Sequence, residues 1–263
     1  MSLLWKFMFW KDDVILSLLE FSRSLIVKLN PTLIHVKRRM RALPKEGYNK
    51  NLYLILNGPS LNKQDIIMLK GKTLMFVNRG FLHKDYKSLQ PQYHVFIDSK
   101  MRDGVWPTEW IDEIWNISPK TKILLPLHWY RYHRFERFRN DSRVYWLNWS
   151  VPFNALGVAG ACFSFAIQHK FAKLLFTGFD ANGIICELLE KSDSHFYGDD
   201  EELKGRNSLQ FAQGLYMHGR HLRDWYLMGA YCEKKGLAVY NFSGAGLIDS
   251  FPKISIAEAL TIE

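Results

Sequence analysis

Cysteine is scarce in this chain. Among its 263 residues, cysteine stands only at positions Cys162, Cys186 and Cys232. These positions are too far apart to form a metal-binding pair, and an odd number argues against a disulfide framework. A reducing cytosol is therefore the simplest setting for the protein.

Long apolar runs are also missing. A membrane-spanning helix needs roughly 18 consecutive apolar residues, and the hydrophobic N-terminal stretch is interrupted by charged residues, among them Lys6, Lys11, Glu20 and Lys28. A cleavable signal peptide fits this stretch poorly, because no clean hydrophobic segment precedes a small-residue cleavage site.

Familiar nucleotide and metal motifs are absent as well. The chain has neither the three glycines of the dinucleotide fingerprint nor the lysine of a P-loop, which counts against NAD and against a typical ATPase. A metal-dependent sugar transferase would offer two carboxylates one residue apart, whereas this chain has Asp98-Ser99-Lys100. A lysine in that position disfavours a divalent cation, so we expect no metal cofactor.

The composition that is present indicates one folded domain with anionic partners. Hydrophobic residues make up 48% and aromatic residues 15%, enough for a full core at this length. The net charge of +9 indicates nucleotides, phospholipid head groups or acidic glycans as partners. Residues 1–45 hold nine basic and three acidic residues and so supply most of this excess.

Residues 1–45 form a predicted amphipathic, basic N-terminal segment. An aromatic cluster over residues 3–10 precedes apolar residues at helical spacing on one face, namely Ile15, Leu18, Leu19, Leu25, Ile26 and Leu29. After Pro31 the chain becomes basic. This pattern is typical of a helix in an anionic membrane interface. A helix packed on the domain or on a second subunit, in a homo-oligomer, is the alternative.

Residues 46–263 alternate between strand-like and helix-like segments. Apolar runs of strand length occur at 52–56, 74–77, 93–97, 122–125, 144–147, 174–177 and 237–240. Helical spacing occurs at 60–69, 159–169 and 208–234, among other segments. The pattern predicts an α/β fold with a Rossmann-like, mostly parallel sheet and helices on both faces, whose ligands bind at the carboxyl ends of the strands.

Polar residues follow the first three predicted strands. The first runs into Asn57-Gly58-Pro59-Ser60, where the glycine permits close approach of a ligand and Ser60 can cap a helix and aim its amides at a phosphate. An ordinary strand-to-helix turn has the same composition. Asn78 and Asp98 end the next two strands and can meet a base, ribose or sugar hydroxyl, while Arg79 can balance a phosphate.

Five segments together resemble bacterial sialyltransferases of glycosyltransferase family 42. In order they are Asn57-Gly58-Pro59-Ser60-Leu61, Asn78, the run from Leu175 through Gly178 to Asp180, Ser194-His195-Phe196-Tyr197-Gly198, and Tyr240-Asn241-Phe242-Ser243. The same frame is similar to the motility-accessory-factor and 6-hydroxymethylpterin diphosphokinase-like proteins. The resemblance spans roughly residues 50–250.

The resemblance implies a variant GT-A fold and a set of donor-binding residues. Asn57, Gly58, Ser60 and Asn78 would contact the nucleotide and phosphate of a CMP-linked sugar, with Asp98 near the sugar. The loop around Gly160 would hold the base, and Asp180 belongs to the matching Gly-x-Asp strand. Tyr240, Asn241 and Ser243 would close over the nucleotide from the last strand.

Two departures from the family pattern affect the chemistry. The family's His-Tyr-x-Gly-His element aligns with His195 to Asp199, so an aspartate stands where the catalytic base is expected. Either residue can remove the acceptor proton. The tyrosines expected after the Gly-x-Asp strand are missing, so other groups must stabilise the leaving phosphate; the candidates are Lys204, Arg206, His218, Arg220, His221 and Arg223.

Two further clusters have more than one interpretation. His218, His221 and Asp224 share a helix face, but their spacing fits a phosphate-facing or solvated surface better than a zinc site. Residues 127–150 mix aromatics with arginines, which indicates an acceptor-binding lid or a partly packed surface segment. Binding of nucleic acid is not expected, although this composition occurs in such proteins.

The sequence therefore predicts a metal-independent inverting glycosyltransferase. It would move a sugar from a nucleotide donor to a cell-surface glycan such as lipopolysaccharide or capsule, at the inner face of a bacterial membrane; the bacterial setting rests on the resemblance. The alternatives are a Mg/ATP diphosphokinase-like enzyme on the same fold and a non-catalytic nucleotide-binding scaffold.

Overall fold

The protein folds around one parallel β-sheet. The computed structural model describes residues 3–43, 45–148, 157–181, 195–198 and 207–262. Within these ranges, seven strands pair in the order β5-β4-β3-β2-β1-β6-β7, and every pair is parallel. The strands are β1 (Asn51–Ile55), β2 (Thr73–Val77), β3 (Tyr93–Val95), β4 (Lys122–Pro126), β5 (Val144–Leu147), β6 (Lys173–Thr177) and β7 (Ala238–Asn241). The predicted Rossmann-like α/β class is confirmed, and each predicted strand is present within two residues of its expected limits.

Helices cover both faces of the sheet. Along β1, Tyr53 and Ile55 face one buried cluster while Leu52 and Leu54 face another, as expected for a strand buried on both sides. The α-helices are α1 (Leu3–Leu29), α2 (Pro31–Ala42), α3 (Tyr86–Leu89), α4 (Ser99–Asp103), α5 (Trp110–Ile117), α6 (Gly157–Gln168), α7 (Ser208–Lys234) and α8 (Ile256–Thr261). Helices α6 and α7 contribute to the second cluster, whereas α2, α5 and α8 contribute to the first.

The chain order creates a switch point beside β1. From β1 the chain moves outward through β2, β3, β4 and β5, and α6 then returns it to β6 on the other side of β1. In open α/β sheets, ligands bind outside the carboxyl ends of the strands near such a point. The fold thus brings the ends of β1, β2 and β6 to one edge.

The N-terminal segment consists of two helices that contact the domain. Asn30 separates them and caps α2 by accepting a hydrogen bond from Leu33 N. Leu33 and Val36 of α2 are buried in the first core cluster. Within the described residues, no helix is long and apolar enough to cross a bilayer.

The predicted helix over residues 60–69 is wrong. Two 3-10 turns, Pro59–Lys63 and Ile66–Leu69, stand there instead. Between them Gln64 is extended, because its side chain donates to the Phe242 carbonyl and accepts from the Thr177 hydroxyl. These long-range bonds pull the backbone out of a continuous helix.

Of the aromatic and basic segment 127–150, the described residues 127–148 are packed against the domain. Trp129, Phe135 and Phe138 are fully buried in the core, and the segment includes β5. Arg134 donates to the carbonyls of Arg102 and Trp106. The partly packed interpretation therefore fits better than an acceptor-binding lid, because large apolar rings are held inside the protein.

Candidate active site at the carboxyl edge of the sheet

Asn57 and Asn78 lie on adjoining strands at the carboxyl edge. Asn57 follows the end of β1, and its Nδ2 donates to the Val77 carbonyl of β2 at 3.3 Å. The Oδ1 atoms of both asparagines are buried, and within the described residues neither has a hydrogen-bond partner. Leaving a buried acceptor unpaired costs about 1–3 kcal/mol. We call this pair the Asn57–Asn78 site.

The backbone of Asn78 is held in an unusual conformation. Its φ of +47° is left-handed, a region that asparagine tolerates better than most residues. The buried His94 Nε2 donates to the Asn78 carbonyl at 2.8 Å, and Tyr86 donates its hydroxyl to His94 Nδ1 at 3.0 Å. Burial lowers the pKa of His94 to about 3, against the opposing effect of the Asn78 bond. The ring is therefore neutral at ordinary pH, and its hydrogen bond fixes the position of the Asn78 carbonyl.

Arg79 is surrounded by aromatic rings beside this site. Its guanidinium lies 5.5 Å from the Trp106 ring, 5.6 Å from the Trp110 ring and 5.5 Å from the Tyr197 ring. Such cation–π contacts orient a guanidinium while it keeps its charge. Lys100 also lies near, with Nζ 5.3 Å from the Trp106 ring. Two cations thus border the edge where the nucleotide was predicted.

The segment 195–198 crosses the turn after β1. Phe196 N donates to the Asn57 carbonyl at 2.9 Å, and Asn62 Nδ2 donates to the Phe196 carbonyl at 3.2 Å. His195 stacks on Tyr197 with ring centroids 4.9 Å apart. The fold therefore brings His195 close to Asn57 and to the rings around Arg79, although these residues lie far apart in the sequence. The other predicted base, Asp199, lies outside the described residues, as does Arg206.

Ser60 and Asp180 bind each other. The Asp180 carboxylate accepts from Ser60 N at 2.7 Å and from the Ser60 hydroxyl at 2.5 Å, and both residues are buried. The expectation that Ser60 caps a helix and aims its amide at a phosphate is thus wrong. Gly58 is the N-cap residue of the turn, and the Ser60 amide is occupied by a carboxylate of this chain.

Close backbone contact seals the edge between β1 and β6. Gly58 N donates to the Gly178 carbonyl at 2.7 Å. A Cβ on Gly58 would lie 2.6 Å from that carbonyl oxygen and 2.8 Å from Asp180 Oδ2, so glycine is required by protein packing. The Asn57–Asn78 site consequently lies on the side of the edge toward β2 and β3.

The predicted closing residues on β7 are occupied by internal hydrogen bonds. Asn241 donates to the Ile248 carbonyl at 3.2 Å and accepts from Ser243 N at 2.9 Å, while the Ser243 hydroxyl accepts from Phe179 N at 3.4 Å. Tyr240 is half-buried against the first core cluster. These contacts fasten the loop after β7 to β6, so the structure does not bring these side chains to the Asn57–Asn78 site.

Asp98 and Gly160 have local structural positions. Asp98 Oδ1 accepts from Lys100 N at 3.0 Å and so caps α4. The residue lies partly exposed near the end of β3. Gly160 is buried in the first turn of α6. The residues before α6, 149–156, lie outside the described part of the chain.

Arg220 and Arg223 of α7 face the N-terminal helix. Arg220 is buried 3.8 Å from both Asp13 and Asp224, and Arg223 pairs with Asp13 at 2.7 Å. Burial, followed by the charges of His218 and Arg220, lowers the pKa of His221. The predicted phosphate role does not fit Arg220, because acidic residues of the chain are its neighbours. Among the described residues, no group of three His, Cys, Asp or Glu is arranged to hold a metal ion.

Four residues of this edge were not predicted from the sequence: His94, Trp106, Trp110 and Tyr197. A histidine within the apolar strand β3 was one available signal, since a buried ring needs hydrogen-bond partners. Tyr197 stood in the predicted catalytic element but was given no role. The tryptophans carried no signal, because aromatic residues are common in cores.

Comparison with known proteins finds no family model that matches the chain and no curated protein that is significantly similar.

Proposed function

We propose that the protein is a metal-independent inverting glycosyltransferase of the variant GT-A type. It would transfer a sialic-acid-like or other CMP-linked sugar to a cell-surface glycan or glycolipid. The observation that carries the proposal is the pair of buried Oδ1 atoms of Asn57 and Asn78 at adjoining strand ends, which have no hydrogen-bond partner in the described part of the chain. Buried acceptors of this kind are normally satisfied by a partner.

The chemistry of a nucleotide fits these groups. The ribose hydroxyls and the cytosine amino group are hydrogen-bond donors, which amide oxygens accept. Arg79 and Lys100 supply positive charge at the same edge and would face the phosphate. Lys100 stands where a metal-dependent transferase has a carboxylate, so side-chain cations replace the divalent ion in this proposal.

In the proposed reaction, His195 or Asp199 removes the proton of an acceptor hydroxyl. The hydroxyl oxygen attacks the anomeric carbon as the bond from that carbon to the phosphate oxygen breaks. The leaving CMP phosphate takes the electron pair, and Arg79 stabilises its charge. The position of the 195–198 segment on the Asn57 backbone supports His195 as a participant.

Nucleotide binding requires a local rearrangement in this proposal. The two Oδ1 atoms are covered by protein, so a ligand must displace the groups above them. The contacts that hold the 195–198 segment over the turn include a backbone bond from Phe196, a side-chain bond from Asn62 and the packing of His83 against the Phe196 ring. A ligand that forms bonds with both asparagines would have to offset the loss of such contacts.

A nucleotide panel tests the donor site. We expect CMP to bind more tightly than UDP, GDP or ATP in calorimetric titrations, without a requirement for Mg²⁺. Asn78→Ala should weaken CMP binding by about tenfold or more, because a buried hydrogen bond of about 1.4 kcal/mol is lost. Asn116→Ala, on the exposed side of α5, is the matched control. Preference for ATP with Mg²⁺ would instead support the diphosphokinase-like alternative, and binding of no nucleotide would refute the proposal.

A further inference from the structure

Helix α1 carries an uncovered apolar stripe. Seven large apolar side chains, 39% to 71% exposed, lie on one face and form what we call the α1 stripe: Phe7, Trp10, Val14, Leu18, Phe21, Leu25 and Leu29. Soluble monomers rarely expose a contiguous apolar surface of this kind unless it serves as a contact site.

The opposite face of α1 attaches the helix to the domain. The Arg223 guanidinium lies 4.6 Å from the Phe9 ring and forms a bidentate pair with Asp13. Val27, on the same side, is only 6% exposed. Since these residues face α7 and the core, the α1 stripe is directed away from the protein.

The spacing of the α1 stripe suits a flat partner. Successive members are three or four residues apart in an 11-residue pattern, so that Phe7, Leu18 and Leu29 are equivalent positions. This period of about 3.67 residues per turn differs from the 3.5 of a left-handed coiled coil and is slightly longer than the 3.6 of a straight helix. Over the roughly 33 Å from Phe7 to Leu29 the stripe shifts around the helix by about 40°, so it stays on one face that a flat surface can contact.

Positive charge accompanies the stripe. Lys11 and Lys28 on α1 and Arg38 and Arg41 on α2 are exposed. Burial, followed by the charges of Arg41 and Lys28, lowers the pKa of Lys37, which means that three cations gather where α1 meets α2. Lys28 adjoins Leu25 and Leu29, so this cluster lies at one end of the stripe.

We propose that the α1 stripe docks in the plane of an anionic lipid bilayer. The apolar side chains would enter the boundary between head groups and acyl chains, and the neighbouring cations would meet lipid phosphates. Trp10 has the amphipathic ring that favours this depth. The proposal rests on α1 and α2 alone and holds whether or not the Asn57–Asn78 site binds a nucleotide.

Vesicle co-sedimentation of the full chain tests this surface. Vesicles of phosphatidylcholine mixed with phosphatidylglycerol should retain the protein, and vesicles of phosphatidylcholine alone should retain much less. The double variant Leu18→Gln with Phe21→Gln should lower partitioning about tenfold or more, since it removes two apolar side chains from the contact. Leu82→Gln with Val105→Gln, two exposed apolar residues elsewhere, should leave it unchanged.

The oligomeric state tests the alternative that a second copy of the chain covers the α1 stripe. Light scattering after size exclusion should show a monomer in the absence of lipid, with unchanged circular dichroism for both double variants. A dimer that dissociates on Leu18→Gln with Phe21→Gln would show that a second copy covers the α1 stripe and would overturn the proposal. Equal retention of the stripe variant and the unaltered protein would overturn it too.

Discussion

The backbone conformation of Asn78 depends on His94, a buried residue that a ligand would not have to contact. Its left-handed backbone places the carbonyl toward the interior, where His94 Nε2 donates to it. A buried, neutral histidine can donate through one nitrogen and accept from Tyr86 through the other. His94 is therefore a positioning residue for the Asn57–Asn78 site.

The pH dependence of stability should reveal this role. Because burial lowers the pKa of folded His94 to about 3 from the usual 6.5, protons bind the unfolded chain preferentially below pH 6.5. The His94 contribution to the free energy of unfolding is complete above that pH and declines as the pH falls, by up to about 1.4 kcal/mol per pH unit. The advantage of the unaltered protein over His94→Gln in urea unfolding should consequently shrink between pH 7 and pH 5.

Exposed Asn116 on α5 provides the comparison for this experiment. Asn116→Ala changes no titratable group, so it should differ from the unaltered protein by a nearly constant amount over the same range. A difference between His94→Gln and the unaltered protein that stays constant with pH would contradict the assigned protonation of His94.

The residues that sequence could predict at this site are those that follow a strand directly. Asn57 and Asn78 were recognisable because each polar residue ends an apolar run, and parallel strands bring such ends to one edge. The Ser60–Asp180 pair joins residues 120 positions apart. No residue near Ser60 in the sequence indicates that the Asp180 carboxylate accepts a hydrogen bond from the Ser60 amide.

At the scale of elements, Glu46 ties three strands together at the opposite edge of the sheet. Its carboxylate accepts from Lys122, which begins β4, from Tyr145 of β5 and from Tyr93 of β3. Burial favours a raised pKa for Glu46, but the hydrogen bonds from Lys122, Tyr145 and Tyr93 outweigh burial and hold the pKa below its usual 4.5. The linker between α2 and β1 is fixed by these bonds.

Replacing this carboxylate should destabilise the fold. Glu46→Gln is expected to lower the free energy of unfolding by about 1–3 kcal/mol at pH 7, because the amide nitrogen faces donors and the charge is lost. Since the folded pKa is lowered, the advantage of the glutamate is present above pH 4.5 and is lost as the pH falls below it.

Urea titrations at neutral and acidic pH measure the Glu46 effect. Glu233→Gln, at an exposed position of α7, should change stability little at either pH. Destabilisation by Glu46→Gln that is the same at pH 7 and near pH 4 would show that the negative charge is not responsible.

Strands were predicted from sequence more accurately than short helical turns. A buried parallel strand is an apolar run of limited length, and β5 has the predicted limits. Helix α7 also agreed with its 3.6-residue pattern over residues 208–234. The 60–69 segment was wrong because two 3-10 turns can bury Leu61, Ile66 and Leu69 as a helix would, and the extension at Gln64 is set by distant partners.

At the scale of the whole molecule, the carboxyl edge is divided into two parts. Between β1 and β6 it is closed by the Gly58–Gly178 contact and by Asp180, and the loop after β7 is fastened to the same region. Toward β2 and β3 it carries two cations and the Oδ1 atoms of Asn57 and Asn78, for which the described residues provide no hydrogen-bond partner. The α1 stripe provides a separate surface on the N-terminal helix, so ligand binding and membrane docking would be independent properties.

A crystal structure of the protein with CMP is the most direct test of the nucleotide site. We expect CMP to lie at the ends of β1 and β2, with donors of its ribose or base within about 3.2 Å of the Oδ1 atoms of Asn57 and Asn78. The phosphate should face Arg79 or Lys100, and the 195–198 segment should have shifted from the Asn57 carbonyl. Density for CMP at another place, or crystals grown with saturating CMP in which both asparagines stay covered, would refute a nucleotide site at these residues.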